Sequence, residues 1–168
     1  MSGDPAAELV EEVDAAGRVL GVVTRAEVRR RRVRHRTVFV AVLDAPGARL
    51  LVHRRAAWKD VWPGRWDLAF GGICAVGESA RDAAVRELAE EAGLGSPLAL
   101  VGEGTYEDAD VAEVATIFTT RTDDPPTCPD GEVVEVAWVA VEDLGRWVAE
   151  HPVCPDSVAL VLPPVAPS

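Results

Sequence analysis

Residues 72 to 94 read Gly72-Ile-Cys-Ala-Val-Gly-Glu-Ser-Ala-Arg-Asp-Ala-Ala-Val-Arg-Glu-Leu-Ala-Glu-Glu-Ala-Gly-Leu94. From Ser79 the segment predicts a helix: Ser79 is a natural N-cap, Asp82 three residues later completes a capping box, and Gly93 suits the C-terminal stop. On that helix Glu87, Glu90 and Glu91 stand at i, i+3 and i+4 and share one face. Like charges so placed destabilise a helix by roughly a few tenths of a kcal/mol per pair, and by more when partly buried. A divalent cation removes that penalty. Oxygen ligands with no His or Cys beside them suit Mg²⁺ or Mn²⁺, and an Mg²⁺ site leaves room for waters and substrate phosphates. Arg86 precedes Glu87, and Glu78 lies a loop earlier, so an ion pair or hydrogen bond can set the direction of the first carboxylate. Taken alone, Glu-x-x-Glu-Glu also describes a solvated acidic helix face, and the surrounding pattern has to decide between the two.

That pattern resembles the Nudix box, G-x5-E-x7-R-E-U-x-E-E-x-G-U with U a bulky aliphatic. Gly72, Glu78, Arg86, Glu87, Leu88, Glu90, Glu91, Gly93 and Leu94 match it. The resemblance implies the α/β/α sandwich of that superfamily. Features outside the box extend it: Asp14 with Gly17 to Thr24, His35-Arg36, Arg54-Arg55, Lys59, Trp62-Pro63-Gly64-Arg65-Trp66-Asp67, Glu132 to Trp138 and Pro155-Asp156-Ser157. They look like the branch related to isopentenyl-diphosphate isomerase.

An isomerase-like enzyme is therefore one alternative. That family needs a catalytic Cys just before the box, where this chain has Gly71, and the His two residues later is replaced by Ile73. Cys74 comes three positions too late, a displacement of up to about 10 Å along an extended chain. A non-catalytic nucleotide-sensing module is the other alternative.

The resemblance implies a Mg²⁺-dependent (or Mn²⁺-dependent) hydrolase that cleaves a phosphoanhydride bond in a nucleoside diphosphate-linked or nucleoside di/triphosphate substrate. Glu90 and Glu91 are the first-choice metal ligands, and Glu87, held by Arg86, is a ligand or the base. Related hydrolases also use the backbone carbonyl before the box, which falls on Gly71, and a glutamate beyond it, which falls best on Glu132 and second on Glu135. Arg36, Arg54, Arg55 and Lys59 are candidate phosphate contacts, because guanidinium and ammonium groups match phosphate oxygens, though each can equally serve a structural ion pair. His35 is read as a phosphate or structural contact. Trp58, Trp62 and Trp66 are candidates for stacking on a base, with Trp66 the better core residue.

Working outward, the chain predicts an N-terminal hairpin (Leu9 to Val13 and Arg18 to Val23), then a short helix opened by a Thr24/Glu27 capping box. Strands are expected over Thr37 to Leu43, Arg49 to His53, Trp66 to Phe70, Leu98 to Gly102, Glu113 to Thr120 and Val133 to Val139. Helices are expected over Val141 to Glu150 and from about Pro155 to Leu162. Interleaved strands and helices indicate an α/β (α+β) class with a mixed β-sheet. With 168 residues, 48% of them hydrophobic, the chain suits one domain over about 1–162. Pro163, Pro164 and Pro167 predict a mobile tail at 163–168, and substrate specificity is expected in loops at Gly104 to Ala112 and Thr122 to Gly131.

A net charge of -11 disfavours nucleic acid as the main partner and suits a small-molecule diphosphate met through cations. Seven of the 16 arginines nevertheless lie between Arg25 and Arg36, and Lys59 is the only lysine. Arg over Lys, with much Ala, Val, Gly and Pro, points to a GC-rich bacterial genome. Cys74, Cys128 and Cys154 form no Cys-x-x-Cys pair, so reduced thiols in a cytoplasm are expected. No signal peptide or membrane span is evident, and the N-terminal hairpin offers a surface for a homodimer.

Overall fold

The computed structural model describes residues 4–166. Strands β1 (Leu9–Val13) and β2 (Val19–Thr24) form the expected hairpin. Its turn is closed by Asp14, whose carboxylate accepts from the N–H groups of Ala16 (2.9 Å) and Arg18 (3.0 Å). Helix α1 (Arg25–Arg31) starts at the reciprocal Thr24/Glu27 box.

The main sheet is mixed. Strand β3 (His35–Leu43) runs parallel to β8 (Ala112–Arg121) and antiparallel to β6 (Phe70–Ile73), and β7 (Ala99–Glu107) adds antiparallel to β8. Strand β4 (Arg49–Arg55) pairs antiparallel with β9 (Val133–Ala140) and β5 (Trp66–Asp67). Between them, β3 and β4 pair only at Leu43 and Leu50 and then diverge, with β6 along one and β5 along the other. The gap between the diverging strands becomes the cleft.

Alternation along β3 explains the layers. Val38, Val40 and Val42 pack under α2 (Ala80–Glu87) and the turn after it through Ala83, Ala84, Leu88 and Ala92. Phe39 and Ala41 face the opposite way, toward α3 (Leu144–Glu150), α4 (Pro155–Leu160) and α5 (Leu162–Val165). Helices thus cover both faces of the sheet, the α/β/α arrangement.

Several boundaries differ from expectation, each for a local reason. The single strand over Trp66 to Phe70 is two short ones, because the chain crosses from β4 to β3 at Leu68-Ala69, where the Asp67 carboxylate accepts from the Ala69 N–H (3.3 Å). Ser79 caps α2 by accepting from the Asp82 N–H (3.1 Å), but the Asp82 carboxylate receives the Ser79 hydroxyl (2.7 Å), so the box is not reciprocal. Gly104 to Glu107, expected in a loop, continues β7, since the pairing with β8 runs on to Glu107 and Ala112. The helix expected to run from Pro155 to Leu162 breaks at Val161. The proline tail is also corrected in part. Pro163 and Pro164 sit in the first turn of α5, where a missing N–H costs nothing, and Leu162 and Val165 pack on the core. Residues 167–168 lie outside the described ones.

Candidate active site

Helix α2 does not end as an α-helix. Leu88–Ala92 form a π-helical turn, closed by Gly93 with φ 70°, a widening common at functional sites. It separates the two glutamates that follow Glu87: the Glu90 side chain stays about half exposed, whereas Glu91 is buried. All three line a cleft of about 690 Å³ together with Gly71, Gly72 and Glu132.

Arg86 organises the near wall. Its Nε and one Nη donate to the two carboxylate oxygens of Glu78 (2.9 Å each), the other Nη donates to Glu87 (2.6 Å) and Glu90 (3.3 Å), and the Ile73 carbonyl accepts at 3.2 Å. Glu78 also accepts from the Ala75 N–H (2.8 Å), so the loop into α2 is tied at both ends. The Arg86 guanidinium holds the Glu78 carboxyl below its usual range. Burial pushes Glu87 up, with Glu90 and Glu132 adding to the effect against the pull of Arg86. Glu91 is raised furthest, by burial and then by the Glu87 charge, although it accepts the Gly71 N–H at 3.0 Å. Burial also opposes ionisation of Glu132, but the Lys59 ammonium bonded to it outweighs burial and lowers its pKa.

Carboxylates forced upward by burial and by one another form an environment that a cation relieves. Among the described residues no three His, Cys, Asp or Glu side chains converge as a ready ligand shell. Each glutamate has a protein partner instead: Glu87 has Arg86, Glu91 has Gly71 and Glu132 has Lys59. The donor set is nonetheless all oxygen, which fits Mg²⁺ or Mn²⁺.

Gly72 leaves room for the end of the Glu87 side chain. A Cβ there would stand 2.6 Å from a Glu87 carboxylate oxygen. Gly72→Ala is therefore expected to leave the fold intact, displace Glu87 and lower kcat by about 10²-fold, with KM little changed. An unchanged kcat would show that the Glu87 position is not critical.

The far wall separates the candidate phosphate contacts. Arg55 and Lys59 line the cleft; Arg36 and Arg54 do not. Strand alternation is the reason. On β3, His35 and Thr37 line the cleft, whereas Arg36 between them binds Glu11 (2.7 Å) and the Glu78 carbonyl (2.9 Å), joining the hairpin to the loop before α2. On β4, Arg54 points opposite to Arg55 and binds Glu135 (2.9 Å), which removes Glu135 from the site as well.

His35 lines the cleft but is buried, bonded to the Val33 carbonyl (2.9 Å) and lowered by burial to about 4, hence neutral. Trp62 reaches the cleft, Trp58 is exposed and Trp66 packs edge-on against Trp147. Cys74 is buried in the α2 core with its thiol pushed by burial up to about 11. It does not line the cleft.

Sequence reasoning assigned no role to several cleft residues. Arg25 and Arg29 project from α1 into the cleft and bind Glu8 (3.2 Å) and Asp60 (2.8 Å), respectively. Their i, i+4 spacing after a capping box was the available signal. Asp67, Glu113 and Asp156 also line it, brought there from three elements distant in sequence.

Comparisons with known proteins agree with this geometry. The NUDIX domain model matches residues 33–157. An uncharacterized Nudix hydrolase of Pseudomonas aeruginosa is 35% identical over 90% of this chain and 90% of its own length. The uncharacterized Nudix hydrolase YfcD of Escherichia coli is 32% identical over 82% of this chain and 76% of its own. Among solved structures, a Deinococcus radiodurans protein superposes with a TM-score of 0.77 at 21% identity, covering 92% of this chain and 97% of that one. The NUDIX domain of Shewanella oneidensis NrtR, solved with ADP ribose, gives 0.64 at 18% identity, covering 84% and 96%. The chain belongs to the Nudix family of hydrolases, pyrophosphohydrolases that act on acid anhydrides.

Proposed function

We propose that the protein hydrolyses a phosphoanhydride bond in a nucleoside diphosphate-linked or nucleoside di/triphosphate substrate with the help of Mg²⁺ or Mn²⁺. The observation that carries this reading is that one cleft is lined both by four glutamates (Glu87, Glu90, Glu91, Glu132) and by basic groups that can meet phosphate (Arg25, Arg29, Arg55, Lys59). The glutamates would hold the cation, with the Gly71 carbonyl, and a bound cation would neutralise the diphosphate and lower the pKa of water. Arg55 and Lys59 bind phosphate oxygens, and Lys59 exchanges its Glu132 partner for substrate. Arg86 keeps Glu87 directed into the cleft, where its carboxylate can hold the cation or take the proton of the attacking water. The burial of Cys74 supports hydrolysis over isomerisation, since a raised thiol outside the cleft offers no proton to a substrate in it.

The test is phosphate or pyrophosphate release from nucleotides, nucleotide sugars, ADP ribose and prenyl diphosphates, with Mg²⁺ or with EDTA, for wild type and Glu90→Gln. Metal-dependent turnover that falls by about 10²-fold or more in the variant is expected. Ligand binding without turnover on any member would instead support a sensing module. No helix among the described residues is long and apolar enough to cross a membrane. The outward face of the hairpin exposes Leu9, Val19, Leu20 and Val22, which supports docking of a second copy there. Sedimentation equilibrium should give a dimer for wild type and a monomer for Leu20→Glu; an unchanged mass would remove this face as the contact.

A further inference from the structure

Beyond the glutamates the cleft holds a second acidic recess, built by Thr37 on β3, Asp67 on β5, Glu113 on β8 and Asp156 in the first turn of α4. The parallel register sets Glu113 opposite His35, and Thr37 follows two residues along on the same face. All four side chains are more than nine-tenths buried, at 6, 6, 4 and 7% exposure respectively.

Two of them lack a well-formed hydrogen bond. The Thr37 hydroxyl and the Oε1 oxygen of Glu113 make none of good geometry, although Thr37 and Asp156 lie close enough to Glu113 to lower its pKa, and the buried Nε of Arg55 at the edge of the recess has no partner. Buried polar groups are normally paired, so a cluster of unpaired ones facing a cavity indicates a missing partner. The other two acids are partly engaged: Asp67 accepts from Ala69 (3.3 Å) and lies 3.7 Å from Arg55, and Asp156 accepts from the Ser157 N–H (2.7 Å).

The chemistry of the partner follows by elimination. Arg55 stands 3.7 Å from Asp67, so the recess has no net positive charge to hold a phosphate or carboxylate. A prenyl chain would leave the orphaned groups without partners in an apolar contact. Arg55 and Arg29 already supply positive charge nearby, which disfavours a cation. Burial, with the Asp67 charge, pushes Glu113 up to about 7; burial, with Asp67 and Glu113, raises Asp156 well above its usual range. Protonated acids and a threonine hydroxyl both donate and accept, as does an alcohol.

We propose that Thr37, Glu113, Asp67 and Asp156 form a specificity subsite that takes a neutral, hydroxyl-bearing group of the ligand, such as a sugar, beside the diphosphate-binding wall. The proposal rests on the reading that the cleft binds a diphosphate. It selects polyhydroxylated diphosphate compounds over prenyl ones.

Binding, separated from turnover, tests it. Dissociation constants are measured by calorimetry for UDP-glucose, ADP ribose, geranyl diphosphate and inorganic pyrophosphate, with wild type, Thr37→Val, Thr37→Ser and Glu113→Gln, after thermal melts confirm each variant is folded. At least one of the two hydroxyl-bearing ligands should bind wild type about tenfold more tightly than geranyl diphosphate or pyrophosphate. Thr37→Val, which keeps the side-chain shape, should weaken that ligand about tenfold while leaving pyrophosphate within twofold, Thr37→Ser should restore it, and Glu113→Gln should weaken it in the same selective way. Geranyl diphosphate binding as tightly as both sugars would overturn the proposal. So would variants that leave the sugar ligand within twofold, or that weaken pyrophosphate equally. Selective binding without hydrolysis would defeat the hydrolase reading and leave the subsite standing, whereas turnover with no preference for hydroxylated ligands would do the reverse.

Discussion

Arg86→Ala is expected to lower the thermal midpoint by roughly 5–10 °C and to abolish detectable turnover. The guanidinium is the common partner of Glu78, Glu87 and Glu90, and the Glu78 and Glu87 side chains are only 16 and 13% exposed. Removing it leaves two largely buried carboxylates without their counter-charge. Breaking a fully buried pair costs about 3–5 kcal/mol, and the partial exposure of Arg86 reduces that to roughly 2–3 kcal/mol, which for a chain of this size gives the stated shift. Loss of turnover has a separate cause: Glu87 loses its direction, and the loop from Ile73 to Glu78 loses the clamp between the Ile73 carbonyl and Glu78. Arg86→Lys should recover part of the stability but little activity, because an ammonium cannot reproduce the two-oxygen fork on Glu78. Differential scanning calorimetry and initial rates check both halves. A variant with unchanged melting and normal rates would mean that the network is incidental.

Glu113→Gln should make the protein more stable, and the gain should depend on pH. The folded pKa of Glu113 is raised from 4.5 to about 7 by burial, with Asp67 adding to the effect and Thr37, Asp156 and Arg29 opposing it. His35, opposite it in the register, is neutral in this range. For an acid raised in this way the folded state binds more protons than the unfolded one, so stability falls as pH rises from about 4.5, and the loss is complete above about 7. The expected difference between the Glu113→Gln variant and wild type is therefore small at pH 4.5 and grows to the order of 2–3 kcal/mol above pH 7.5, as the wild-type carboxyl is forced to ionise. Urea unfolding of both proteins across this range, without added metal, measures it. A difference that is flat with pH would place the Glu113 carboxyl at an ordinary pKa. A buried acid that weakens the fold at neutral pH is the kind of trade expected at a ligand site.

The acidic wall was legible because its residues are close in the chain. Helix geometry converts the spacing of Glu87, Glu90 and Glu91 into proximity, and the Glu78 to Arg86 pairing is a contact eight residues long. The Thr24/Glu27 box is equally local, and it formed as its hydrogen-bonding side chains require. The π-helical turn was not legible. The same five residues satisfy the α pattern, and only the packing of Leu88 and Ala92 against the sheet accompanies the wider turn that buries Glu91 and leaves Glu90 at the rim.

Of the four basic residues read as phosphate contacts, two reach the cleft, and the reason lies in strand phase. A list of arginines says nothing about which face of β3 or β4 each occupies; pairing with β8, β6 and β9 settles that and turns Arg36 and Arg54 away. The same holds for the tail, where the prolines allowed either an irregular segment or the first turn of a helix, and contact of Leu162 and Val165 with the core accompanies the second.

The sequence by itself therefore determined the family, the mixed α/β class and the acidic wall, because each depends on covalent neighbours held at helical or strand spacing. Only the tertiary structure decided which cations face that wall and that Thr37, Asp67, Glu113 and Asp156 share a recess. Those residues come from β3, β5, β8 and α4, and what brings them together is the divergence of β3 from β4, a property of how the sheet closes and of no single segment.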